Sequence, residues 1–313
     1  MVGYMNDVIE RFQETHPDVI RYELAISEVE QPPSPWDQFC FRESDFVEGI
    51  GVLGDYRPIP DDAVELCEAE GVEWVELRVG SVAVVLLAGE DVALDCVSSG
   101  DVYALVGPES DGFETWSDAQ PLAAELGSDT ALPDIPLTVY GPDSWGMSFS
   151  VLNSTVIKGI GRERDAYERS KYGGGILTKN LLREDYWKND NWGGSDDGPI
   201  IEAVRSDPTG FGWANFEAAE HAQGVKVLSV DSGQGCTAPT QATVTSGEYP
   251  ALPLYLYVNT AVKEKSPHKA AYVDFLLGDL FADDQTGTVA REYDFTSLPE
   301  QARSATRAAW ANA

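Results

Sequence analysis

An α/β fold with largely parallel sheets is what this sequence predicts, and three observations predict it. Segments of strand pattern and helix pattern alternate along nearly the whole chain, the order that builds a sheet covered by helices. The run Val82 to Ala88 is apolar at every position, as expected of a strand buried on both faces. The 313 residues, 43% of them hydrophobic, are too many for one small core and enough for two lobes of ordinary domain size.

Tyr4, Met5, Val8, Ile9 and Phe12 mark one face of a helix that His16-Pro17 closes. A strand is expected over Val19 to Ile26. Gln31-Pro32-Pro33-Ser34-Pro35-Trp36 reads as a stiff loop whose three prolines remove three backbone N–H donors. Phe39 to Phe46 leads through Gly49, Gly51 and Gly54 to Asp55-Tyr56-Arg57-Pro58-Ile59-Pro60, and Asp61 to Glu70 is a helix ended by Gly71. Val72 to Val79 alternates and reads as a strand separate from Val82 to Ala88. Ser98 to Val106 is helical, and Leu122 to Leu126 more faintly so. Leu137 to Tyr140 is a short strand that runs through Gly141-Pro142-Asp143-Ser144-Trp145-Gly146 into a helix over Ser148 to Ile157. Further helices are expected at Ile200 to Arg205 and Gly210 to Ala222, with strands at Val225 to Asp231 and Leu252 to Asn259. Helices over Pro267 to Leu277, Asp279 to Tyr293 and Leu298 to Trp310 end the chain, and no internal repeat appears.

Asp and Glu total 53 against 21 Lys and Arg, a formal charge of −32, and the acids are scattered instead of gathered in a tail. Adaptation to high salt explains such a surface, because the Debye length falls to about 3 Å at 1 M and self-repulsion fades. Nucleic acid is excluded as a partner by this charge, whereas a small anionic ligand is not, since molar salt leaves local contacts to decide. Residues 158–192 form a locally basic insertion: Lys158 to Lys188 holds eight Lys/Arg against five acids. It is read either as a docking surface or as a solvated surface excursion. No run of about 18 apolar residues exists to cross a membrane. Met1 to Asp7 lacks a basic stretch followed by an apolar one, so no signal peptide is expected in this chain.

Chemistry of the enzymatic kind finds no foothold. His16, His221 and His268 lie far apart without ligand spacing, and no nucleophile elbow, phosphate loop or dinucleotide fingerprint is present. No cofactor is implied. Asp190, Asp196 and Asp197 lie close enough to raise calcium, but they do not follow the EF-hand pattern. Cys40, Cys67, Cys96 and Cys236 show no zinc spacing, and their even number permits two disulfides or four buried thiols. The turn from Gly141 to Gly146 is the one stretch built like an anion cradle, with glycines and hydroxyls ahead of a helix whose first N–H groups are unpaired. The plainer alternative is a strand-to-helix connection with Ser144 or Ser148 as N-cap.

Several segments resemble phosphate ABC-transporter substrate-binding proteins of the PstS kind. They are Phe39-Cys40 with Glu43-Ser44-Asp45, Tyr56-Arg57-Pro58-Ile59, Gly71-Val72-Glu73, Asp95-Cys96, Ser195-Asp196-Asp197, Gly210-Phe211-Gly212, Gly235-Cys236-Thr237-Ala238-Pro239, Gly247-Glu248-Tyr249-Pro250 and Leu252 to Asn259. The resemblance implies a two-lobed type II periplasmic-binding-protein-like fold with mixed, mostly parallel sheets and an interlobe cleft. Lobe 1 is expected at 1–90 plus 231–313 and lobe 2 at 91–230, with disulfides Cys40–Cys67 and Cys96–Cys236. Family members hold phosphate with hydroxyls and N–H groups of Ser/Gly/Thr-rich loops plus an Arg and an Asp. Here the first such loop has no counterpart and the second falls on Pro32 to Trp36. In the third, Pro142-Asp143-Ser144-Trp145-Gly146-Met147-Ser148 lacks the arginine. Asp55, Arg57, Ser144, Gly146 and Ser148 remain as cleft residues, with Trp36 and Trp145 lining it. A buried dianion without an opposing arginine is poorly compensated. The expectation is therefore a non-enzymatic structural or recognition component of an extracellular surface, a cell envelope or a virus particle, with protein partners and a phosphate pocket largely lost. The alternative is a working substrate-binding protein that serves an ABC permease for phosphate or another small solute.

Overall fold

The computed structural model of the chain describes residues 2–18, 35–40, 51–110, 112–142, 147–164, 197–219, 222–282 and 288–313. The strand expected over Val19 to Ile26 and the greater part of the basic stretch lie outside these residues.

Helix α1 (Val2–Thr15) buries Tyr4, Met5, Val8, Ile9 and Phe12, the face legible in the sequence. Helix α2 (Pro35–Cys40) replaces the end of the expected proline-rich loop. Pro35 occupies the first helical position, where a missing N–H costs nothing, and Trp36, Phe39 and Cys40 then share one buried face. Strand β1 (Val52–Asp55) precedes α3 (Asp61–Glu70), which Gly71 closes at φ 66°, a left-handed conformation natural to glycine. The two strands expected between 72 and 88 are one, β2 (Trp74–Ala88), because a late strand pairs with Gly80 and Ser81 and keeps them extended. Strand β3 (Cys96–Ser98) enters α4 (Ser99–Val106) through a capping box: Asp101 N–H donates to Ser98 Oγ at 3.1 Å, and Ser98 N–H to the Asp101 carboxylate at 2.7 Å. Helix α5 (Gln120–Glu125), strand β4 (Val139–Tyr140), α6 (Met147–Leu152) and α7 (Lys158–Glu163) follow, the last two joined by a π-helical turn.

After α8 (Gly198–Ser206) comes the largest departure from expectation. Gly210 to Ala222 forms strand β5 (Phe211–Asn215) and a one-turn helix α9 (Phe216–Ala219) instead of one aromatic helix. Every residue of β5 is buried, and it pairs with β2 on one side and β4 on the other. Strands β6 (Lys226–Asp231) and β7 (Cys236–Thr237), helix α10 (Gln241–Ser246) and strand β8 (Ala251–Asn259) come next. Helices α11 (Val262–Lys265), α12 (Pro267–Leu280) and α13 (Val289–Glu292), strand β9 (Thr296–Ser297) and α14 (Glu300–Asn312) complete the chain. The helix expected from Asp279 to Tyr293 shrinks to α13. Asp279 belongs to α12 and caps α13, accepting the N–H groups of Val289 at 3.0 Å and Ala290 at 2.9 Å.

The chain divides into two compact units, Met1–Ser81 with Pro253–Ala313, and Val82–Leu252. Both seams fall inside strands, β2 and β8. In the first unit β1 pairs antiparallel with β8, and β9 with the early part of β2. Its core holds Trp36, Phe39, Cys40, Leu53, Ala63, Cys67 and Tyr257, with Cys40–Cys67 bonded inside it. In the second unit β5 lies between β2 and β4, while β6 pairs with β2, β3 and β7. Cys96–Cys236 ties β3 to β7 on either side of β6. Both disulfides are those the resemblance implied, and each stabilises by about 3–5 kcal/mol through the unfolded chain it restrains. The fold is α/β and the sheets are mixed as expected. Among the described residues, though, β3–β6 and β4–β5 are parallel while β1–β8, β2–β5, β2–β6, β2–β9 and β6–β7 are antiparallel, so antiparallel ladders prevail. No helix of the described residues is long and apolar enough to cross a membrane.

Candidate ligand-binding site

In the first unit, β1 ends at Asp55, held in register opposite Tyr255 of β8. The chain then turns back around the Asp55 carboxylate. Its Oδ1 accepts the N–H of Tyr56 at 2.7 Å, the N–H of Arg57 at 3.0 Å and Arg57 Nε at 3.2 Å, while Oδ2 accepts Arg57 Nη2 at 3.1 Å. The side chains of Asp55 and Arg57 are 11% and 67% exposed, so the carboxylate is sunk and the guanidinium presented. Arg57 Cζ lies 5.3 Å from the ring centroid of Tyr56, itself 43% exposed. An exposed cation fixed by a fork of two hydrogen bonds is suited to an oxyanion.

Below this turn sits a support the sequence did not announce. The Tyr257 hydroxyl lies 3.1 Å from the Arg57 carbonyl oxygen and 3.0 Å from Glu76 Oε2, both acceptors. Burial raises the Tyr257 pKa well above its usual value, and the Glu76 hydrogen bond raises it further. Tyr255 and Tyr257, two positions apart on β8, share one face of the strand, and nothing in the sequence singled out either as a support for Arg57. Trp36 belongs to the same core, 9% exposed and edge-on to Tyr257 with ring centroids 4.8 Å apart.

In the second unit β4 leads to Gly141, which is packed so tightly on Trp213 that an added Cβ would fall 2.1 Å from its ring. Ser144, Trp145 and Gly146 lie outside the described residues. Ser148 is wholly buried on α6, and its hydroxyl donates to Asp197 Oδ2 at 2.6 Å. The backbone N–H of Asn215 donates to the same oxygen at 2.5 Å, and the Asp197 carbonyl accepts from Ile200 and Ile201 at the start of α8. Ser148 is thus spoken for within the protein, and Asp197, 1% exposed, is a joint between α6, α8 and β5. Asp190 and Asp196 lie outside the described residues, and no group of three His, Cys, Asp or Glu that could hold a metal occurs among the described ones.

No protein-family model matches the chain. Two curated relatives, the SphX proteins of Synechococcus elongatus and Synechocystis sp., are 23% and 24% identical to it over 86% and 82% of its length. The matched part is 67% of each, so the chain spans about two thirds of their length. Among solved structures it is similar to a possible phosphate binding protein from Planctomyces limnophilus, with a TM-score of 0.73 and 19% identity over 99% of this chain and 94% of that one. PstS from Borrelia burgdorferi (TM-score 0.56, 13% identity) and an ABC-type phosphate transport receptor from Vibrio cholerae (0.55, 10%) match over 95% of both chains in each case. The chain therefore carries the two-lobed α/β fold of the PstS proteins and, in sequence, resembles the SphX proteins as a divergent relative.

Proposed function

We propose that the protein is an extracellular or periplasmic solute-binding protein that takes phosphate and presents it to an ABC permease, with Arg57 and Asp55 among its ligand contacts. The observation that carries this reading is the similarity, over 99% of the chain, to a protein described as a possible phosphate binding protein. The turn at Asp55 supports it chemically. Arg57 supplies the cation that the turn around Asp143 lacks. Asp55 Oδ2 has one donor among the described residues, Arg57 Nη2, and a carboxylate oxygen takes two. A protonated phosphate satisfies both groups, its charge toward Arg57 and its P–OH toward Asp55, whereas sulfate, with no proton to give, is repelled by the carboxylate. Two disulfides agree with an oxidising compartment.

A structural role in an envelope or virus particle, the first expectation from sequence, rests on the altered loops, the basic stretch and the signal peptide not expected in this chain, and the comparisons favour the transport alternative. Calorimetric titration in molar salt tests the choice. Phosphate should bind with a micromolar or tighter constant. Arg57→Gln should bind it about 10- to 100-fold more weakly, the effect of one hydrogen bond to a charged group. No saturable heat up to millimolar phosphate would overturn the reading.

A further inference from the structure

Arg57 is exposed, yet its backbone is anchored from inside the core. Tyr257 stands on β8 opposite Leu53 and is fully buried. Trp36 and Trp74 meet its ring edge-on, with centroids 4.8 and 5.7 Å away, so the ring has one place to sit. Its hydroxyl lies between two acceptors, the Arg57 carbonyl oxygen and the Glu76 carboxylate, and its one proton is shared between them. One phenol oxygen thus reaches from the core to the first residue of Arg57-Pro58-Ile59. Pro58 has no N–H to offer, so this segment depends more than most on such a contact. Burial and Glu76 keep the phenol protonated and able to donate throughout the neutral range.

We infer that Tyr257, backed by Glu76, is a positioning residue for Arg57: it holds the Arg57 carbonyl from beneath and so aims the guanidinium that Asp55 steadies from the side. The inference rests on the phosphate reading for its functional consequence. Trp36 acts one step further back, as a wall that holds the Tyr257 ring.

Tyr257→Phe keeps the ring and removes the hydroxyl. The phosphate dissociation constant should rise about five- to tenfold, the size of one ordinary hydrogen bond, while the melting temperature stays within a few degrees. Glu76→Gln, which retains an acceptor oxygen, should bind better than Glu76→Leu. Amide exchange across residues 55–59 should quicken about tenfold in Tyr257→Phe with α3 unchanged, as expected of local rather than global opening. Unchanged affinity and unchanged exchange in Tyr257→Phe overturn the inference, and so does an affinity that falls only in step with lost stability. If the wild-type protein binds no phosphate, the functional reading fails by itself, and the exchange measurement alone decides whether Tyr257 positions this turn.

Discussion

Ser148 and Asp197 are both closed off from solvent, and their 2.6 Å hydrogen bond joins α6 to the start of α8. Removing the hydroxyl leaves a buried carboxylate one donor short. Ser148→Ala should therefore cost about 1–3 kcal/mol in urea unfolding, whereas Ser148→Thr, which keeps the hydroxyl, should cost less; equal stability of Ser148→Ala and wild type would contradict this role. The sequence offered Ser148 as an N-cap or a cleft residue, which is as much as residue type reveals. Its partner sits 49 positions away, and a hydroxyl given to a protein carboxylate looks the same in sequence as one kept for a ligand. The pairing of Asp55 with Arg57 is of the opposite kind. They are two residues apart, so the turn that pairs them is local, and a proline after the arginine holds the chain extended there.

At the scale of elements, strand β4, helix α8 and strand β5 are joined by Asp207. Its carboxylate accepts Tyr140 Oη at 3.0 Å, and both the N–H and the hydroxyl of Thr209, at 3.1 and 3.2 Å. Burial alone would raise its pKa, but these hydrogen bonds win and hold it below the usual 3.8. A lowered folded value means that the stabilisation is present above the unfolded pKa and is lost as pH falls through the folded one. Asp207→Asn should accordingly be less stable than wild type at neutral pH, with the gap narrowing in acid below about pH 4; a gap that stays constant with pH would contradict this. Gly141 sets a second limit, since Gly141→Ala must displace the Trp213 ring and should cost about 1–3 kcal/mol by overpacking. Helices with clear apolar stripes and caps, α1, α3, α4 and α14, were readable from sequence because their signals are local. β5 was not, because a segment as rich in alanine and aromatic residues as Phe211 to Ala219 also reads as a helix, and its first part becomes a strand through partners far along the chain. The single strand β2 was missed for a related reason: β9, more than 200 residues later, is what carries it across Gly80.

For the whole molecule the charge of −32 dominates. Self-repulsion among dispersed carboxylates opposes compaction and is screened by salt, so the melting temperature should climb as sodium chloride rises from 0.1 to about 2 M; a flat or falling curve would contradict that. Tyr4, Tyr103, Tyr249, Tyr257, Tyr272 and Tyr293 are each held above the ordinary tyrosine value of 10.0, chiefly by burial. Raised folded values give stabilisation that is complete below pH 10 and lost as pH climbs past it. Absorbance of tyrosinate near 295 nm should thus show these six ionising together with alkaline unfolding instead of before it. The α/β class and both disulfides were accessible to sequence, the latter through family resemblance. The proportion of antiparallel pairing was not, because alternation of elements fixes their order and leaves strand direction open. Equilibrium dialysis of the full chain against labelled phosphate in molar salt, with sulfate as competitor, tests the central claim most directly. The reading predicts one saturable site of micromolar or tighter affinity that excess sulfate does not empty; absence of saturable binding up to millimolar phosphate would contradict it.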